Sequence, residues 1–196
     1  MTDKTDLSRR HFLVAATVTA GGAGMVAAAV PFVASFRPSA RAQALGAPVE
    51  VDIGKMEPGA LVKVEWRGRV IMIVRRTQFM LGRLAELEEQ LADPASSASL
   101  QPGYAMNPHR SIRPEYLVVE GVCTHLGCAP TPRFDLAPAD LGPDWTGGFF
   151  CACHGSKFDL AGRVYRGVPA PTNLSVPPHR YVAENVLLIG SDMGAS

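Results

Sequence analysis

Two stretches decide the reading: "CTHLGC" at residues 123–128 and "CACHGSKFD" at residues 151–159. All four cysteines of the chain, Cys123, Cys128, Cys151 and Cys153, fall within 31 residues. Cysteines that merely fill a core would be scattered, so these four belong to one site. The potential metal ligands arrange as Cys123-x-His125, then 25 intervening residues, then Cys151-x-x-His154. Two cysteines and two histidines can hold either zinc or iron. In small zinc modules the cysteines usually form one closely spaced pair and the histidines another. Here each stretch contributes one of each.

Working outward, the bulk numbers bound the context. With 196 residues, 47% of them hydrophobic, the chain can build one ordinary core plus an extension. A net charge of +1 without long basic runs speaks against nucleic acid as a partner. Residues 8–13, SRRHFL, read as a twin-arginine export signal. The uncharged run Phe12–Phe36 follows, 25 positions long. As a helix it would reach roughly 37 Å, enough for a hydrocarbon core of about 30 Å. A cleaved signal has a shorter apolar region, of roughly 7 to 15 residues, which favours a retained anchor. Ala40-Arg41-Ala42 and Ala42-Gln43-Ala44 nevertheless resemble small-residue cleavage sites. With the anchor kept, Arg9 and Arg10 stay cytoplasmic and everything after Phe36 lies across the membrane. Twin-arginine export serves mainly proteins that fold around a cofactor before crossing.

Residues 37–48, RPSARAQALGAP, read as a linker. Strand signals follow at Val49–Ile53, Leu61–Glu65 and Val70–Val74, and again at Tyr116–Val119 and Val186–Ile189. Thr77 is placed to cap a packing helix over Gln78–Leu91, with Leu81, Leu84, Leu87 and Leu91 on one face and Glu86, Glu88 and Glu89 outward. Asp93–Pro114 reads as an irregular surface excursion. His11, His109 and His179 read as surface residues.

The mixed Cys/His spacing is what a 2Fe-2S cluster of Rieske type uses, with both cysteines on one iron and both histidines on the other. CTHLGC and CACHGS together resemble the two cluster-binding boxes of the Rieske iron–sulfur protein family, specifically its exported, quinol-oxidising branch in cytochrome bc complexes. The resemblance implies an all-β fold, a Rieske-type antiparallel β sandwich with a cluster-binding subdomain, preceded by one N-terminal transmembrane helix. The organisation implied is a cytoplasmic twin-arginine segment 1–11, an anchor 12–36, a flexible hinge linker 37–48 and a Rieske domain 49–196 with its cluster-binding subdomain over about 120–175.

The same resemblance implies one 2Fe-2S cluster held by Cys123, His125, Cys151 and His154, with Cys128 and Cys153 joined as a disulfide. Two spare cysteines beside a metal site in an oxidising compartment should pair. His154 is implied to hydrogen-bond the quinol and take its proton, and Ser156 to donate to a bridging sulfide. Gly127 and Gly155 permit tight loops, and GVPAPTNL at 167–174 is similar to the proline loop that shields the cluster. The implied partners are a cytochrome b subunit, a c-type cytochrome and ubiquinol or a similar quinol. The implied location is the bacterial inner membrane, single-pass, with the head periplasmic. One departure stands out: Phe158 occupies a position where many quinol-oxidising relatives carry a tyrosine whose hydroxyl donates to a cysteine ligand. Two other readings remain, a small Rieske subunit of an arsenite oxidase-like enzyme and a non-redox zinc module. Soluble Rieske ferredoxins share the ligand pattern but lack the second cysteine pair.

Overall fold

The computed structural model describes residues 4–192. The outer ends of the first and last sequence segments, 1–3 and 193–196, lie outside the described residues. The chain forms two compact units, Met1–Ala44 and Leu45–Ser196.

The first unit is dominated by α1, Lys4–Ser35. Within it, Leu7–Ser35 has a mean hydropathy of 1.8 over its most apolar window, none of it buried. At about 1.5 Å per residue, these 29 residues are long enough to cross a bilayer core. Thr17 and Thr19 return their hydroxyls to the carbonyls of Leu13 and Ala15, which satisfies both donors inside the helix. The helix starts ahead of the apolar run and takes in Arg9 and Arg10, because leucine and arginine there are good helix formers with nothing to break the turn. Within the segment 37–48, α2 spans Ala40–Gly46, and the Ser39 hydroxyl accepts from the Ala42 amide at its start.

The second unit is built from three antiparallel sheets of three strands. β1 (Val49–Asp52), β9 (Val186–Ile189) and β8 (His179–Ala183) form one, in that order. β2 (Leu61–Trp66), β3 (Arg69–Arg75) and β4 (Tyr116–Glu120) form the second. β5 (Thr131–Arg133), β6 (Gly148–Cys151) and β7 (Ser156–Phe158) form the third. β3 reads RVIMIVR rather than alternating because both of its faces are covered. Ile71 and Ile73 pack with Tyr116, Val118, Leu187 and Ile189. Met72 and Val74 face the other way, into a core shared with Phe149, Phe158, Leu174 and the thiols of Cys123 and Cys151. The middle sheet is thus the floor on which the cysteine-bearing loops rest.

Three expectations are corrected. The helix over 78–91 is divided: α3 covers Gln78–Arg83, capped by the Thr77 hydroxyl, and a 3₁₀ helix covers Ala85–Gln90. The tighter winding brings Leu84 and Leu87, three apart, to the same buried side. Asp93–Pro114 is irregular but not superficial, since Ser96 and Arg110 are fully buried by hydrogen bonds to distant chain segments. His179 is buried, with its Nδ1 2.8 Å from the Pro177 carbonyl and its ring edge-on to Tyr104; His109 is half-buried.

Candidate metal centre

The two boxes form matching loops. The first follows β4 and the second is the hairpin between β6 and β7, in which Cys151 pairs with Ser156. In each, the amide four residues after the cysteine returns to that cysteine's carbonyl: Gly127 N to Cys123 O and Gly155 N to Cys151 O, both 2.9 Å. Both glycines have left-handed φ, +84° and +77°, which explains their place in the sequence. At the base of the hairpin, a side chain at Gly148 would strike the Phe158 carbonyl, so only glycine fits that close strand approach.

The loops bring together the residues singled out from sequence. Cys123 and Cys151 are free, buried and close enough to interact. Burial pushes the Cys123 thiol above its ordinary value and Cys151 adds to the shift, while the His125 amide and the Ser156 hydroxyl oppose it. Metal coordination replaces such a proton. The imidazoles of His125 and His154 stand edge-to-face, centroids 4.8 Å apart. His154 is exposed, and His125 is half-buried with its Nδ1 enclosed and without a hydrogen-bond partner. An enclosed ring nitrogen without a partner, beside paired thiols, fits a metal centre with two sulfur and two nitrogen ligands. Cys128 and Cys153 are joined as a disulfide with Cα atoms 6.7 Å apart, and the Cys151 sulfur lies within 4.8 Å of both. Those three sulfurs are not an alternative metal site, because two of them are already spent on each other.

Ser156 is the one support named from the sequence, and several others were not read from it. Ser156 is fully buried and its hydroxyl oxygen accepts from the Ala170 amide at 3.1 Å, leaving its own proton to point at sulfur. The Thr124 hydroxyl donates to the Thr172 carbonyl. The far end of the proline loop is held through Asn173, which accepts from the Val164 amide and donates to the Asp93 carbonyl and the Ser96 hydroxyl. The Asp93 carboxylate in turn takes bonds from Ser97, Ala98 and Ser99. The serine-rich stretch at 93–99 thus buttresses the loop. Asp159 and Arg163 form a fully buried ion pair at 2.7 Å directly behind the second box. Charges four apart beside a metal box were the available signal for that pair. Little local marks the others, because the partners of Thr124 and of the Asn173 amide lie 48, 77 and 80 residues away.

Residues 49–178 match the family described as Rieske [2Fe-2S] domain. Residues 1–39 match the family described as the ubiquinol-cytochrome c reductase Fe-S subunit TAT signal. The chain is 56% identical, over 96% of its length and 91% of the relative's, to the ubiquinol-cytochrome c reductase iron-sulfur subunit of Allochromatium vinosum. It is 40% identical to the subunit of the same name from Blastochloris viridis, over 96% of both chains. It is 42% identical to the mitochondrial cytochrome b-c1 complex subunit Rieske of Solanum tuberosum, over 94% of this chain and 63% of that one.

Proposed function

The chain belongs to the Rieske 2Fe-2S family, and from that premise we propose that its buried thiols and paired imidazoles receive electrons one at a time from a membrane quinol and pass them to a c-type cytochrome. It is an electron-transfer subunit of a quinol–cytochrome c oxidoreductase with one 2Fe-2S cluster. The observation that carries the site assignment is the convergence of two buried free thiols with two edge-to-face imidazoles on matching loops.

Cys123 and Cys151 would hold one iron of the cluster, and His125 and His154 the other. The bound cluster supplies a one-electron acceptor whose potential is lifted because neutral imidazole replaces anionic thiolate. His154, the exposed member of the pair, offers its outer ring nitrogen to a quinol hydroxyl and takes the proton. His125 would be the companion ligand from a more enclosed position. Ser156 donates toward sulfur, the Ala170 amide holding its oxygen in place. Phe149, Phe158 and Leu174 keep water from the floor of the site. The disulfide and the Thr124–Thr172 bond fix the loops against each other, which holds the imidazoles ready without rearrangement.

The remaining assignments follow from the same reading. α1 anchors the chain in the bacterial inner membrane, with Arg9 and Arg10 cytoplasmic and the head periplasmic. The head meets a cytochrome b subunit at the quinol site and a c-type cytochrome on the other side of its travel, and 37–48 is the tether. A seven-residue helix is marginal on its own, so α2 can open and close as the head moves. Added prolines in 37–48 should slow turnover with the spectrum intact; unchanged turnover would remove the tether from this account.

The deciding experiment is electron paramagnetic resonance of the purified full chain after reduction. A rhombic signal that disappears in Cys123→Ser and in His154→Ala is expected. A colourless protein containing zinc would overturn the assignment.

A further inference from the structure

Behind the second box lies an unusual concentration of buried charge. Arg76, Arg110 and Arg163 are 2%, 0% and 0% exposed. Arg163 is paired with Asp159. The other two are satisfied differently. Arg76 donates to the carbonyls of Pro114, His109 and Leu160 and to the Ser111 hydroxyl. Arg110 donates to the carbonyls of Ala161, Gly162 and Leu174 and to the Gln101 side-chain oxygen. Among the described residues, the buried carboxylates in this region are Asp159 and Asp93. Asp159 is bonded to Arg163, and the Asp93 carboxylate takes its bonds from Ser97, Ala98 and Ser99, so neither carboxylate is hydrogen-bonded to Arg76 or Arg110.

Of the two, Arg110 sits against the walls of the metal centre. Asp159 directly follows Phe158, and Leu174, whose carbonyl Arg110 holds, shares a core with Phe158, Cys123 and Cys151. Guanidinium stays charged in proteins, and burial weakens dielectric screening of what it faces. Carbonyl partners satisfy the donors but, unlike a carboxylate, leave the charge uncancelled. A buried positive charge favours whichever state of its neighbour is more negative, and a cluster gains one negative charge on reduction.

We propose that Arg110 is a potential-setting residue: its charge, held without a carboxylate bonded to it, stabilises the reduced centre and raises its reduction potential. This acts opposite to the donor missing at Phe158. The inference rests on the assignment of Cys123, His125, Cys151 and His154 as ligands.

Gln101 provides a gentle test, because it is only half-buried and its oxygen lies 3.1 Å from Arg110 Nη2. Gln101→Glu gives Arg110 a nearly isosteric anionic partner, which the guanidinium keeps ionised at pH 7. Both substitutions lose the bond that Gln101 Nε2 donates to the Ser96 carbonyl, and Gln101→Met loses the one from Arg110 as well without adding charge, so it controls for the uncharged part of any shift. Voltammetry of the full chain should show a lower midpoint potential for Gln101→Glu and no comparable shift for Gln101→Met, with the rhombic signal present in both. An unchanged potential in Gln101→Glu, or an equal shift in Gln101→Met, overturns the proposal. Absence of the rhombic signal from the unsubstituted chain overturns the ligand assignment instead.

Discussion

The Thr124 hydroxyl donates to the Thr172 carbonyl over 2.7 Å, so a side chain inside the first box is bonded to the proline-rich loop 48 residues later. Thr124→Val keeps the shape and deletes that bond, at a cost of about 1 kcal/mol. Cluster absorbance should bleach severalfold faster in air, while the urea midpoint of the whole domain falls by no more than about 0.5 M. Equal bleaching rates would mean that the loop is held by its other bonds alone.

The Asp159–Arg163 pair has both side chains fully buried. Asp159→Asn leaves the Arg163 charge without its counterion, and breaking a buried pair from one side costs about 3 to 5 kcal/mol. By contrast, Glu120→Gln removes the partner of Arg69, whose side chain is 57% exposed, and should cost no more than about 1 kcal/mol. Urea unfolding of the two variants tests the ordering.

Phe158 is fully buried, opposite Phe149 in the β6–β7 register, in the core that contains both free thiols. Phe158→Tyr adds a donor beside those sulfurs. A hydrogen bond to a charged acceptor contributes about 1.5 to 3 kcal/mol. The part that differs between oxidation states is worth some tens of millivolts per kcal/mol, on the scale of about 59 mV per tenfold change for one electron. The midpoint potential should rise. A potential equal to that of the unsubstituted chain would show that residue 158 does not set it.

Asp93 carries the acid-side expectation. Burial alone pushes its carboxyl up, but bonds from Ser99, Ser97 and Ala98 outweigh burial and hold it below the ordinary value. A depressed folded-state value means that the ionised group stabilises the fold above the ordinary carboxylate value of about 3.9, and that this contribution fades as pH falls through the depressed value. The stability gap between the unsubstituted chain and Asp93→Asn should therefore be full at neutral pH and shrink below about pH 4. A gap that stays constant to the acid limit would exclude a role for the charge.

The site was more legible than its support. Cys-x-His and Cys-x-x-His spacing is local and chemically restrictive, so the candidate ligands, the spare cysteines that pair and the glycine turns all sit in two short stretches. β1, β2 and β4 announced themselves by alternation or by β-branched content, and β3 by its unbroken apolar run. The helix over 78–91 was only half legible, because the same leucine spacing suits either an α-helix or a tighter 3₁₀ turn. Asp93, Ser96, Ser99 and Arg110 were illegible as supports, since polar residues in a serine- and proline-rich stretch look like solvated loop until their partners at 161–174 are known. His179 misled for a related reason: a histidine after two prolines reads as surface until the Tyr104 ring is found beside it.

One feature of the middle sheet bears on how such a chain is assembled. The Glu120 amide donates to the Ser175 carbonyl at 2.8 Å, and the Gly121 amide to Val70. The chain therefore leaves the two lower sheets at 121 and comes back beside its own exit point at 175. Everything between is a cassette whose two ends meet at one seam, and Arg76, Arg110 and residues 93–96 hold it from outside. A foreign counterpart would have to satisfy those same partners, while the strand pairing of the framework, from β1 with β9 to β3 with β4, keeps its register.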